Sequence, residues 1–437
     1  MFFEPQQSGD KRILQAQFNE KPYPDFALDE PIKSSDFNEL FKHSYFPAYV
    51  KAFRSTSTVD TIRILDVGCG SGHKLSYLAK ANPNALITAV DFSSESLEIA
   101  AQRMKFRRVD NVDFHCVSIE DIPLIGKSFD FINCDEVLYL SDDVLASLST
   151  LKSILNPRGI IRANLHNYYS RFYNNCSQEL FKVLGLKSEP PGDFRRDFVR
   201  IFMSGLSDAS VLKQKTWSKD KEITDQIIEM NNIFFGDKGF TFPQLFSFLD
   251  NSGLSFVDLV NSSEWDLDLL FPESGRIDIL SDLLAELDYR DKLHLFELLS
   301  NSHRLMDFWC CRTEDISSSN TSDLANSTVV LNPLLNTPLV KKDLVISSQN
   351  FLPFEASKYI SSCSAFPLFV DSSQSFLLLP LFDGPVKFTD LVFSFMKQPC
   401  INASGVRVDS MSYEQSFSFV SELIDSLKSC FFVFVLD

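Results

Sequence analysis

The stretch Asp66-Val67-Gly68-Cys69-Gly70-Ser71-Gly72 lies between a β-type run, Arg63 to Val67 (RILDV), and an amphipathic helical pattern, His73 to Ala81. Three glycines in five positions at such a turn let the backbone bend sharply and let a ligand approach where a Cβ would collide. The spacing is GxGxG with His73 next, not the GxGxxG of dinucleotide-binding turns, and no GK[ST] follows for a Walker phosphate loop. About twenty positions further on, the run Leu86 to Asp91 (LITAVD) ends in an acid, the offset expected of a group that accepts hydrogen bonds from both ribose hydroxyls. Asp66 adds negative charge beside the loop, which repels a pyrophosphate and suits an ammonium or sulfonium ligand.

Further β-type runs follow at Val112 to Val117, Phe129 to Cys134 and Gly159 to Leu165, separated by amphipathic stretches at Glu95 to Val109 and Asp143 to Leu155. Strand and helix alternating at this spacing imply an α/β fold, a doubly wound sheet with parallel pairing and helices on both faces. Residues 1–58 carry Pro22-Tyr23-Pro24 and Pro31, which limit helix length and favour a lid or strap. Residues 59–170 form the nucleoside-binding core. From about Tyr169 the β texture disappears, so 171–312 reads as a helical extension. The Ser/Asn/Thr-rich stretch 313–328 reads as a linker, and 329–437 as a small accessory α+β domain ending in the strand-like CFFVFVLD. Within that domain, Phe376 to Met396 reads as an apolar strand, an Asp383-Gly384-Pro385 turn and an amphipathic helix.

Composition sets the outer limits. At roughly 150 residues per domain, 437 residues ask for two or three domains, and 44% hydrophobic side chains with 42 Phe are ample for several cores. The 41 Lys+Arg against 58 Asp+Glu leave −17, which argues against a nucleic-acid partner and leaves small molecules or proteins. The start, MFFEPQQSGDKR, lacks the pattern of a secretory signal, and the apolar runs fall short of the roughly 20 residues that span a bilayer. Nine cysteines without a CxxC point to buried thiols, Cys310 and Cys311 included, rather than to a disulfide framework or a metal site. The expectation is a cytoplasmic protein with no membrane association and no metal.

At the glycine loop and Asp91 the sequence resembles the class I S-adenosylmethionine-dependent methyltransferases, whose first motif is (D/E)xGxGxG. The resemblance runs through Cys116 to Pro123 (CVSIEDIP), Phe129 to Cys134 and Leu151 to Ile160 (LKSILNPRGI). It implies S-adenosylmethionine as cofactor, with Gly68, Gly70 and Gly72 along the methionine moiety, Asp91 on the ribose and Ser118, Ile119 and Glu120 beside the adenine. Asp66, at the end of the first strand, and Asp135, after the fourth, complete the implied cofactor set. Two positions depart from the pattern: Ser118 stands where an Asp is common, and Val137-Leu138-Tyr139-Leu140 has no His. Gln17 to Phe26 (QFNEKPYPDF), Phe240 to Pro243, Gly253 to Phe256 and Met306 to Trp309 are similar to segments of a bacterial subgroup with a helical C-terminal extension. The FLLLPLFDG element resembles one found in winged-helix-like accessory domains of some bacterial methyltransferases, with recognition of a substrate or partner as its implied use.

For the chemistry, Glu136 and Tyr139 follow the fourth strand on the edge where the methyl group is expected, and His166 follows the fifth, near Tyr168 and Tyr169. These three are the candidates to orient or deprotonate an acceptor. Tyr23 is a candidate to close over the cofactor, whereas His73 and His115 read as structural. The expected function is methyl transfer from S-adenosylmethionine to a small-molecule acceptor. The alternatives are a protein methyltransferase and a non-catalytic S-adenosylmethionine sensor.

Overall fold

A computed structural model describes residues 9–32, 36–186, 192–217, 223–234, 236–271, 278–316, 324–360, 368–397, 400–401, 407–408 and 411–437. Parts of the N-terminal segment and of the expected linker, residues 1–8, 33–35 and 317–323, lie outside them. The strands β1 (Arg63–Val67), β2 (Leu86–Asp91), β3 (Val112–Cys116), β4 (Phe129–Cys134) and β5 (Leu155–Asn167) pair in parallel in the spatial order β3-β2-β1-β4-β5. The short β6 (Gly239–Phe240) joins the end of β5, and β7 (Leu254–Leu259) and β8 (Leu305–Arg312) extend the sheet antiparallel in the order β5-β8-β7.

Adjacent residues of each central strand enter different cores, as the period of two requires. Ile64, Phe131 and Ile160 join one cluster, while Leu65, Ile132 and Ile161 join the other. The first face is covered by α2 (Phe37–Lys42), α3 (Tyr45–Phe53), α4 (His73–Ala81) and α5 (Ser94–Phe106), preceded in the chain by α1 (Gly9–Glu20). On the second face lie α6 (Val144–Ser153), α11 (Phe242–Ser252) and α13 (Tyr289–Leu299). Between them in sequence, α7 (Tyr168–Val183), α8 (Asp193–Gly205), α9 (Val211–Thr216) and α10 (Asp225–Asn232) gather round a separate small core of Phe181, Val199, Met203 and Ile228, and α12 (Asp278–Glu286) precedes α13.

The reading of 171–312 as purely helical is corrected here, because β7 and β8 belong to the main sheet. Their sequences, LSFVDL and LMDFWCCR, contain a single β-branched residue, so the propensity signal is faint. Both strands gain their stability from tertiary packing: Phe308, Trp309, Cys310 and Cys311 are fully buried, the two cysteines as free thiols.

The last segment builds a three-stranded antiparallel sheet in the order β12-β9-β15 from β9 (Thr328–Leu331), β12 (Val386–Lys387) and β15 (Val433–Leu436). Two short pairs accompany it, β10 (Phe354–Glu355) with β11 (Phe369–Val370) and β13 (Cys400–Ile401) with β14 (Arg407–Val408). The helices α14 (Pro338–Gln349), α15 (Ser372–Ser375), α16 (Phe388–Met396) and α17 (Tyr413–Ser429) complete the α+β layer. The expected strand at Phe376–Leu381 is a 3-10 helix through Phe382, since Pro380 has no N–H to give a ladder. The expected helix after the turn is present as α16. This unit is more than tethered: Phe41 meets Phe431 at 4.8 Å and Phe46 meets Phe434 at 5.5 Å, within a core shared with α2 and α3.

Candidate cofactor and acceptor site

The carboxyl ends of β1, β2 and β4 open into one cavity, as expected where strand order reverses beside β1 in a doubly wound sheet. Gly70 and Gly72 show why the loop is glycine-rich. Gly70 has φ +51°, and a Cβ there would stand 2.3 Å from the Tyr23 carbonyl oxygen. At Gly72, with φ +79°, a Cβ would come within 2.9 Å of the Ala100 Cα, so this glycine lets the loop lie against α5.

The strap expected at Tyr23 is built by hydrogen bonds. Ser71 donates from its N–H to the Tyr23 carbonyl (2.9 Å) and from Oγ to the Pro24 carbonyl (2.6 Å). Arg103, fully buried on α5, donates to the carbonyls of Ser71 (2.9 Å), Ala27 (2.6 Å) and Phe26 (2.7 Å). One guanidinium thus ties helix, glycine loop and strap together, through five fixed donors that match a cluster of carbonyls. Sequence reading missed Arg103, because a lone Arg inside an amphipathic helix carries no local signal.

Asp66, Gly68, Gly70 and Asp91 line the cavity along the loop, with Ser118, Ile119 and Glu120 along the segment after β3. Asp135, Glu136 and Tyr139 line it beyond β4. Of the residues singled out in the sequence, Gly72 serves helix packing instead, and His166 stands behind Tyr139, its ring stacked at 3.7 Å between centroids. The roof comes from distant segments: Leu14 and Phe18 of α1, the strap, and Met230 of α10 with Phe234 and Gly236 after it. Phe18 packs edge-on against both Phe92 (5.9 Å) and Phe234 (6.1 Å).

Electrostatics distinguishes the acids. Asp91 accepts from the backbone N–H of Gly70 (2.9 Å) and Ser93 (2.8 Å), which fixes its plane while leaving lone pairs on both oxygens. Burial raises its pKa, against the pull of the backbone N–H groups of Ser93, Gly70 and Phe92. Asp66 is 3% exposed and takes one side-chain bond, from Asn133 Nδ2 (2.7 Å). Burial outweighs that bond and pushes its carboxyl up to about 7.

Beyond β4 the polar groups form a chain. Arg162 donates to both oxygens of Asp307 (3.0 and 2.7 Å) and to Asp135 Oδ1 (3.2 Å), and Asn164 also donates to Asp135 Oδ1 (2.6 Å). Lys74 reaches Asp135 (2.7 Å) and Glu136 (3.2 Å), and Arg304 grips Glu136 through both of its oxygens (2.9 and 3.1 Å). Burial pushes the Glu136 carboxyl up, but Lys74 and Arg304 outweigh it and hold it at about 2. Glu136 also has φ +58°, a strained conformation for a residue with a Cβ, at the cavity edge.

His166 Nδ1 meets the Asp237 carboxylate, so Nδ1 carries the proton and Nε2 accepts from Arg304 Nη1 at 2.8 Å. Burial lowers its pKa despite Asp237, giving a neutral imidazole with both nitrogens engaged. Tyr139 is pushed well above its ordinary range by burial, reinforced by Glu136. The arrangement therefore holds and orients, and neither Glu136 nor His166 is a free base near neutral pH. Lys74, Arg162, Arg304 and Asp237 were absent from the sequence reading. Only Lys74, just after the glycine loop, had a position that pointed to the site. Among the described residues no group of His, Cys, Asp and Glu is placed to hold a metal ion, and no helix is long and apolar enough to cross a membrane.

The cavity fits an S-adenosyl ligand: a glycine-lined approach, a strand-end acid with free lone pairs that suit ribose hydroxyls, and buried carboxylates that suit a cationic group. Fold and site define a class I S-adenosylmethionine-dependent methyltransferase, an enzyme that uses S-adenosylmethionine as methyl donor. Residues 59–226 match the family described as methyltransferase domain. The chain is 27% identical over 325 residues to an uncharacterised protein of Synechococcus sp., covering 71% of this chain and 74% of that one. It is 35% identical over 127 residues to malonyl-[acyl-carrier protein] O-methyltransferase of Bacillus cytotoxicus, covering 29% of this chain and 41% of the relative, less than half of its length. In fold it resembles PKMT2 from Rickettsia typhi, with a TM-score of 0.57 at 17% identity over 95% of this chain and 78% of that one. The same Rickettsia protein has also been solved in complex with AdoHcy.

Proposed function

We propose that the enzyme transfers the methyl group of S-adenosylmethionine to a small-molecule acceptor that enters beside Tyr23 and Glu136. The observation that carries this reading is enclosure: α1, the strap and the segment around Phe234 cover the sheet edge from three separate parts of the chain. Bound S-adenosylmethionine supplies an electrophilic methyl on a sulfonium, and the protein's task is to align the nucleophile and exclude water. Asp91 holds the ribose hydroxyls, Ser118, Ile119 and Glu120 border the adenine, and Gly68, Gly70, Asp66 and Asp135 face the methionine portion. Glu136, kept ionised, orients the acceptor, Tyr139 offers it a rigid ring, and His166 positions Arg304. Residues 59–312 make up the catalytic unit in this reading, 1–58 supply its strap, and 329–437 serve recognition. The relative named for malonyl-[acyl-carrier protein] supports a metabolic acceptor.

A protein acceptor is the second reading. Phe351, Leu352 and Phe369, exposed on the last domain, favour it as a surface for a polypeptide. A radiolabelled-methyl assay on fractionated cell extract separates the two: label in the low-mass fraction supports the first reading, and label in the protein fraction overturns it in favour of the second.

A further inference from the structure

His43 was not singled out by its sequence context, yet its ring is fully buried between the sheet and the α2–α3 hairpin. Its Nδ1 lies 2.7 Å from the Glu39 carbonyl oxygen. A carbonyl only accepts, so Nδ1 donates and the ring orientation is set. The backbone is pinned as well, since the His43 carbonyl accepts from Asn82 Nδ2 at 2.7 Å and Asn82 Oδ1 accepts from the Tyr45 N–H at 2.9 Å. What this bracing presents is Nε2, which stands 3.5 Å from Asp135 Oδ2, an oxygen that Lys74 Nζ also meets at 2.7 Å; with Nδ1 donating to the carbonyl, Nε2 is a donor to that carboxylate when the ring carries both protons. Asp135 is the carboxylate on the cavity wall whose other oxygen is held by Asn164 and Arg162.

The far side of the same hairpin bears the last domain. Phe41 packs on Phe431, Phe46 on Phe434, and Arg54 Nε binds Asp437 Oδ1 at 2.8 Å. A rigid element of two short helices therefore has the accessory domain on one side and the Asp135 carboxylate on the other.

We infer that His43 is a positioning residue for Asp135, and that the α2–α3 hairpin is the strut through which residues 329–437 hold that carboxylate in place. The inference rests on the proposed contact of Asp135 with the methionine end of the cofactor. It gives the last domain a part in cofactor binding in addition to recognition.

The test measures S-adenosylhomocysteine affinity by calorimetry on the full chain. His43→Asn keeps a donor for the Glu39 carbonyl but cannot reach Asp135, whereas His43→Gln sets a carboxamide N–H at the position of Nε2. Loss of the Nε2–H contact with the Asp135 carboxylate predicts a weakening of about fivefold or more for His43→Asn, and His43→Gln within about twofold of wild type. A merely structural role has no reason to be rescued by Gln. If Asp135→Asn weakens binding while His43→Asn does not, the positioning role is refuted. If Asp135→Asn leaves affinity unchanged, the underlying reading of the cavity fails instead. Should the His43 variants not fold, Phe46→Leu loosens the hairpin from β15 while leaving His43 intact. A weakening of about threefold there supports the strut, and unchanged affinity overturns it.

Discussion

Replacing Asp66 with Asn should make the ligand-free protein more stable and the cofactor complex weaker. The carboxyl lies at about 7 in the folded chain against 3.8 when unperturbed, so ionising it inside the fold is costly. A raised folded pKa means that its stability contribution is intact below the unfolded value and is lost as pH rises through the folded one. Linkage with these two values gives a cost to the wild type of about 2 kcal/mol at pH 5.5 and about 4 kcal/mol at pH 8. Asn is isosteric and its Oδ1 still accepts from Asn133, so Asp66→Asn escapes that cost at both pH values. Urea unfolding of both proteins at pH 5.5 and 8, above the sequence pI near 4.8, should show a gap that roughly doubles between the two. Cofactor binding should move the other way: without a carboxylate for the cationic end, S-adenosylmethionine affinity falls by about tenfold or more. A pH-independent gap, or a variant no more stable than wild type at pH 8, refutes the reasoning.

Asp91→Ala removes the proposed acceptor of both ribose hydroxyls and should weaken S-adenosylhomocysteine binding about 100-fold by calorimetry. Gly70→Ala drives a Cβ towards the Tyr23 carbonyl at an unfavourable φ; affinity should fall at least about tenfold, measured the same way. Arg103→Ala leaves the carbonyls of Ser71, Phe26 and Ala27 without their guanidinium donor, and limited proteolysis should then cut within residues 21–30 at a protease level the wild type resists. Asp237→Asn strips the counter-charge from Arg171 and sets an NH2 group where one of the two oxygens now accepts from His166 or from Arg171 and Gln178, and should cost about 3 kcal/mol in urea unfolding. It should also lower methyl transfer more than cofactor affinity, because His166 does not line the cavity.

The parallel half of the sheet and the cofactor edge were legible because their signals are local. A glycine's positive φ, an acid at a strand end and the period of two in strands such as FDFINC are properties of a few adjacent residues, and β1 to β5 lie where those patterns predict. Where propensity was weak, reading failed: β7 and β8 carry Leu, Phe, Met and Cys that suit a helix equally well, and only pairing into the sheet, β8 on β5 and β7 on β8, makes them strands. Pro380 turned an apolar run into a 3-10 helix for the complementary reason, a missing donor.

The sequence by itself determined the doubly wound sheet and marked the edge proposed to take a nucleoside-bearing cation, since Asp66, the glycine loop and Asp91 lie within about 25 residues of one another. Tertiary structure alone decided how the charges around it are set. Arg304 meets Glu136 across 168 positions, Asp307 meets Arg162 across 145, and the Arg103 carbonyl partners lie 76 and 77 residues away in the strap. Coulombic and hydrogen-bond energies depend on distance in space and on the exclusion of water, neither of which a one-dimensional pattern records. For that reason Glu136 and His166, chosen from the sequence as candidate acid–base groups, emerge from the fold as an ionised clamp and a neutral, doubly engaged imidazole.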